Sequence, residues 1–151
     1  MTIKFGLIAC SKSKQGKDQP DQIYKAKNLY NSWLFDGRMK AVENHCEEWA
    51  IMSAKHGFVA PDDELTWYDK QISELSADEQ HALAESVATH LPDNVDTLMV
   101  LMGRDYFEPL TEALPEDITV WDPLKGVGLF DQRSELKELA MPQDQQTLSE
   151  I

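Results

Sequence analysis

Four apolar runs divide the chain, and amphipathic or polar stretches separate them. Phe5 through Ala9 is almost unbroken apolar sequence, as expected for a strand covered on both faces. Trp49-Ala50-Ile51-Met52, Thr97-Leu98-Met99-Val100-Leu101-Met102 and Ile118-Thr119-Val120-Trp121 read as three further strands. Between the first two, Ser32 can cap a helix running to about Glu47, with Phe35, Met39, Val42 and Cys46 forming one apolar stripe. Ser76-Ala77-Asp78-Glu79 is a capping-box pattern. It opens a helix with Leu83, Ala84, Val87, Ala88 and Leu91 on one face, which stops at Pro92. A short helix after Gly103 reaches Leu114, and a last one spans about Leu129 to Ala140.

Strand and helix therefore alternate four times. This predicts an α/β domain: a single, mostly parallel sheet of about four to five strands with helices on both faces. Residues 1–140 form one domain, and the polar segment 141–151 reads as a tail. Gly16 to Gln22 reads as an exposed loop, and so does Val59 to Asp69.

Composition supports a folded globule: 151 residues, 42% hydrophobic, with four tryptophans. A chain of this size can bury roughly 68–70% of its unfolded surface without metals or disulfides. The charge is strongly acidic, 27 acidic against 14 basic residues, net -13. That argues against binding an extended duplex, which needs a basic face. The bland reading of the acidity is a solvated surface. Adaptation to high salt fits less well, because 11 of the basic residues are lysine and only 3 arginine. Cys10 and Cys46 are the only cysteines and form no CxxC pattern. With no secretory signal and no run long enough for a membrane span, a reducing cytoplasm is expected and no membrane partner. No metal-ligand spacing is present, and no cofactor is implied.

In an open α/β sheet, ligands bind at the carboxyl ends of the strands. Here those ends are Cys10–Lys14, Ser53–Gly57, Gly103–Phe107 and Asp122–Gly128. Ser11, Lys12, Ser13 and Lys14 supply hydroxyls and ammonium groups directly after a buried strand, a setting suited to phosphate. The GxxxxGK[ST] spacing of a Walker loop is absent. Cys10 reads better as a small hydrophobe beside Ser11 and Lys12 than as a nucleophile. Ser53, Lys55, His56 and Gly57 form a second wall, with His56 suited to acid–base work or merely to holding the turn. Gly103 permits close backbone approach, and Lys125 and Gly126 stand at the fourth strand end. Tyr68, Tyr106 and Phe107 can stack on a base, as can Trp67. Asp69 and Asp105 are the carboxylates best placed to stabilise an oxocarbenium-like transition state, with Asp62, Asp63, Glu64 and Asp122 nearby.

Six stretches together resemble a family of small phage, bacterial and archaeal proteins with Cys-Ser-Lys-Ser-Lys near the N-terminus, relatives of the peroxide-stress protein YaaA. They are Leu7–Lys14, Ala26–Leu34, Trp49–Val59, Tyr68–Ile72, Val100–Phe107 and Lys125–Arg133, the first and third being the most specific. The resemblance implies an α/β fold, a link to nucleotides or nucleic acids, and a glycosylase-like activity. It also brings Tyr30, inside Ala26–Leu34, among the substrate contacts. The leading expectation is thus an enzyme that cleaves or exchanges an N-glycosidic bond in a nucleotide or in a flipped or single-stranded base. His56, Asp69 and Asp105 are its candidate catalytic groups. The alternatives are a non-catalytic nucleotide-binding or sequestering module, and an acidic DNA mimic. The oligomeric state is left open.

Overall fold

The computed structural model describes residues 2–141; the expected tail lies, but for Met141, outside the described residues. The polypeptide runs β1 (Ile3–Ala9), β2 (Tyr24–Lys25), α1 (Ala26–Leu29), α2 (Trp33–His45), β3 (Glu48–Ser53), β4 (Gly57–Val59) and β5 (Glu64–Leu65). A 3-10 turn, Ile72–Glu74, precedes α3 (Ala77–His90), β6 (Val95–Leu101), α4 (Arg104–Ala113), β7 (Thr119–Trp121) and α5 (Leu129–Ala140). Five strands form one sheet in the order β4-β3-β1-β6-β7. β1 pairs in parallel with β3 and β6, and β6 with β7, while β4 folds back antiparallel on β3.

The side chains of the central strands divide by parity, as a strand buried on both faces requires. Ile8, Ile51, Met99 and Leu101 pack with Phe35, Val42 and Leu136 of α2 and α5. Phe5, Leu7, Ala50, Met52, Leu98 and Val100 pack with Ala84, Val87 and Leu110 of α3 and α4. Helices thus cover both faces of a mostly parallel sheet. Gly6 is required where α2 crosses β1, since a Cβ there would lie 2.6 Å from the Val42 Cβ.

The predicted caps form. Ser32 accepts from the Phe35 N–H, and Ser76 and Glu79 make a reciprocal capping box. Helix α2 ends at His45, two residues before the expected end. The chain after Ser53 holds structure not expected: β4 makes a tight hairpin with β3 turning at Gly57 (φ +73°), and inside the loop read over Val59 to Asp69, β5 pairs with β2. These two- and three-residue strands are too short to show a period of two in the sequence.

The chain crosses from β3 to β6 on opposite sides of β1, so the switch in strand order falls between β1 and β6. A crevice opens outside the carboxyl ends of such a pair. Cys10 and Gly103 stand at those two ends.

Candidate functional site

The Ser/Lys loop is held both by its own polar groups and by bonds to Met52, Leu29 and Asn31. Cys10 N–H bonds to the Met52 carbonyl, and Gln15 N–H to that of Leu29. The Ser11 hydroxyl donates to the Ser13 carbonyl at 2.9 Å, and the Ser13 hydroxyl to the Asn31 side chain. Lys14 Nζ bonds the Lys12 carbonyl at 3.1 Å and lies 4.5 Å from the Tyr68 ring centroid. Burial lowers the Lys14 pKa, opposed by the field of Cys10 and Asp69. No carboxylate among the described residues is within ion-pair distance of Lys14.

Beneath the loop lies a chain of buried hydroxyls. Tyr30 and Tyr68 meet at 2.6 Å, and Tyr68 and Ser53 at 2.8 Å. Ser53 Oγ also accepts the backbone N–H groups of Lys55 and His56. With both its lone pairs occupied, Ser53 donates to Tyr68, whose hydroxyl shares a further hydrogen bond with Tyr30. Burial raises both tyrosine pKa values well above the ordinary range. Cys10 Sγ lies 3.2 Å from the Tyr106 hydroxyl, joining the ends of β1 and α4 across the crevice.

Three adjoining concavities lie along this edge. The largest, about 420 Å³, is lined by Lys12, Ser13, Lys14, Lys17, Trp67 and Asp69, with Tyr68 behind them. The second, about 220 Å³, shares Lys12 and adds Cys10, Ser11, Lys70, Asp105 and Tyr106. The third, about 240 Å³, opens beyond the ends of β6 and β7 between Arg38, Gly103, Arg104, Asp122, Gly126 and Gln132. Another groove, between α2 and α5 at Trp33 and Arg133, shares none of these residues.

Cys10, Ser11, Lys12, Ser13, Lys14, Tyr68, Asp69, Asp105 and Tyr106 therefore gather around the first two concavities, and Gly103 and Gly126 border the third. Tyr68 is only 4% exposed and serves as an inner wall of the first concavity rather than a stacking platform, while Tyr30, equally buried, lines none of the three. Trp67 is half-buried and lines the first concavity. Phe107 packs in the core beneath Arg104, whose guanidinium carbon is 5.0 Å from its ring centroid. Gly57 serves the hairpin and faces Leu83 of α3. His56 and Lys55 lie behind Tyr68, with the His56 ring edge-on to it at 5.0 Å. Burial, then Lys55, lowers the His56 pKa, so its ring is neutral at pH 7. Lys125 is exposed beside Gly126. Among the described residues no group of three or more His, Cys, Asp or Glu is arranged to hold a metal. No helix among them is long and apolar enough to cross a membrane.

Sequence reasoning missed Lys17 and, above all, Arg38. Arg38 is 9% exposed, yet its Nε has no hydrogen-bond partner among the described residues. Its signal was its position: Phe35, Arg38 and Val42 follow i, i+3, i+7, so the arginine stands in the apolar stripe of α2.

A family described as "Family of unknown function (DUF6884)" matches residues 6–138. The chain is similar to the "Uncharacterized protein YfjM" of Bacillus subtilis (strain 168), with 29% identity over 136 residues that cover 83% of this chain and 89% of that protein. No solved structure matches.

Proposed function

The chain belongs to the DUF6884 family, whose description assigns no activity, and we propose that it is a nucleotide-directed enzyme that cleaves or exchanges an N-glycosidic bond. One observation carries the reading. In a chain of net charge -13, a single concavity joins three lysines, an aromatic ring and a carboxylate. Lys12, Lys14 and Lys17 would hold phosphate, the Trp67 ring would stack the base, and Asp69 would face the sugar. Asp105 and Tyr106 in the neighbouring concavity would meet the leaving or accepting group. The likeness of Leu7–Lys14 and Trp49–Val59 to relatives of YaaA supports a nucleotide or nucleic-acid substrate. Free Cys10 and Cys46 fit a reducing cytoplasm.

The test is chromatographic detection of free base from a panel of nucleotides, nucleosides and single-stranded oligonucleotides. At least one member is expected to release base. Asp69→Asn is expected to lower kcat by roughly 10²–10³-fold with little change in KM. Tight binding across the panel without any released base would overturn the enzyme reading and leave a sequestering module.

A further inference from the structure

We propose that the cavity at the carboxyl ends of β6 and β7 is a second anion site, in which Arg38 and the N-terminus of α4 bind a phosphate group. This inference does not depend on the glycosidic reading: Arg38, Gly103, Arg104 and Gly126 line a separate cavity, and the two share only the first turn of α4, which also carries Asp105 and Tyr106.

Arg38 is the first reason. A guanidinium carries five donors and stays charged when buried. Burial lowers the Arg38 pKa only to about 10, so it is a cation at neutral pH. Leaving a charge buried without a partner is costly, and native structures pair such groups. No carboxylate among the described residues forms an ion pair with Arg38. The one carboxylate lining the cavity, Asp122, lies 3.6 Å from Arg104 instead. Arg104 thus offsets Asp122, and the charge of Arg38 is left over.

The helix ends are the second reason. Ser32 and Ser76 cap α2 and α3, but Gly103 and Gly128 at the N-caps of α4 and α5 provide no side-chain bond. Both helices exceed two turns, and their first N–H groups carry the positive end of each dipole. Gly103 and Arg104 bring the N-terminus of α4 to the cavity that Arg38 lines, and Gly126 and Val127, in the turn before α5, with Gln132 complete its wall. A Cβ at Gly103 or Gly126 would meet nothing within 4 Å, so the glycines leave the backbone open to a ligand. At about 240 Å³ the cavity is many times larger than the roughly 10–15 Å³ one water needs.

The experiment titrates inorganic phosphate into the full chain at constant ionic strength, with chloride as the control anion, read by calorimetry and by Tm. Phosphate is expected to bind and to raise Tm where chloride does not. Arg38→Met is expected to weaken phosphate binding at least tenfold. Gly103→Val, whose side chain would enter the cavity while Arg38 stays intact, is expected to do the same and serves if Arg38→Met does not fold. Ribose 5-phosphate against ribose separates the sources. If ribose 5-phosphate binds and Arg38→Met loses it, the phosphate is part of a larger ligand; if only inorganic phosphate binds, the site takes the free ion. No phosphate response in the wild type, or wild-type phosphate affinity in either folded variant, overturns the proposal.

Discussion

Tyr68 sits between two other hydroxyls and beneath two cations, and each neighbour restricts what it can do. Its hydroxyl is spent between Ser53 and Tyr30, and Lys14 and Lys55 lie over its ring. Tyr68→Phe leaves the buried Ser53 donor without an acceptor. It is expected to cost about 1–3 kcal/mol, measured by urea unfolding. Arg38→Met should behave differently from an ordinary core mutation. Replacing a buried, unpaired cation by an apolar group of similar length is expected to leave Tm unchanged or raise it in phosphate-free buffer. A clear fall in Tm would mean that the guanidinium is satisfied within the fold. Titration gives a third residue-scale expectation. Burial lowers the pKa of both His45 and His56 in the folded state. The unfolded chain then binds more protons below about pH 6.5, so stability is present above that pH and is lost as pH falls through the two folded values. Thermal melts at pH 7.5 and 5.5 should show a smaller loss for His45→Gln than for the wild type.

The elements were legible to the extent that they bury an apolar face. All four parallel strands and the helices over both faces follow from apolar runs and from the Ser32 and Ser76 caps. What escaped were β2, β4, β5 and α1, which are two to four residues long. Their hydrogen bonds come from the tertiary fold: Ala26 N–H bonds the Asp63 carbonyl, and Lys27 N–H that of Pro61. The same limit applied to the site. The strand ends could be named from the pattern: residues from the first, third and fourth line neighbouring concavities, whereas Ser53–Gly57 lines none of them. The sequence could not show that Tyr68 faces inward, that Gly57 belongs to a hairpin, or that Arg38 reaches the edge from the middle of α2. Packing at the element scale has a direct test at Gly6. Gly6→Ala presses β1 against Val42 of α2 and is expected to destabilise by about 1–3 kcal/mol. Val42→Ala on the same chain should recover part of that loss, because the two positions touch. Strict additivity of the two costs would contradict the close contact.

At the scale of the whole molecule, charge and shape pull in different directions. The net charge of -13 repels a long polyanion, yet one edge of the sheet gathers Lys12, Lys14, Lys17, Arg38 and Arg104. We propose that a small phosphorylated ligand uses that edge, because the net charge of the chain disfavours a long polyanion. We propose that a nucleotide binds at this edge. The most direct measurement is a titration of the ¹⁵N-labelled protein with adenosine and guanosine 5′-monophosphates, followed by amide chemical shifts. The expected result is a set of shifts concentrated at Lys12, Ser13, Lys17, Trp67 and Asp69, extending toward Gly103. Shifts confined to the α2–α5 groove around Trp33 and Arg133, or no shifts at millimolar nucleotide, would contradict it.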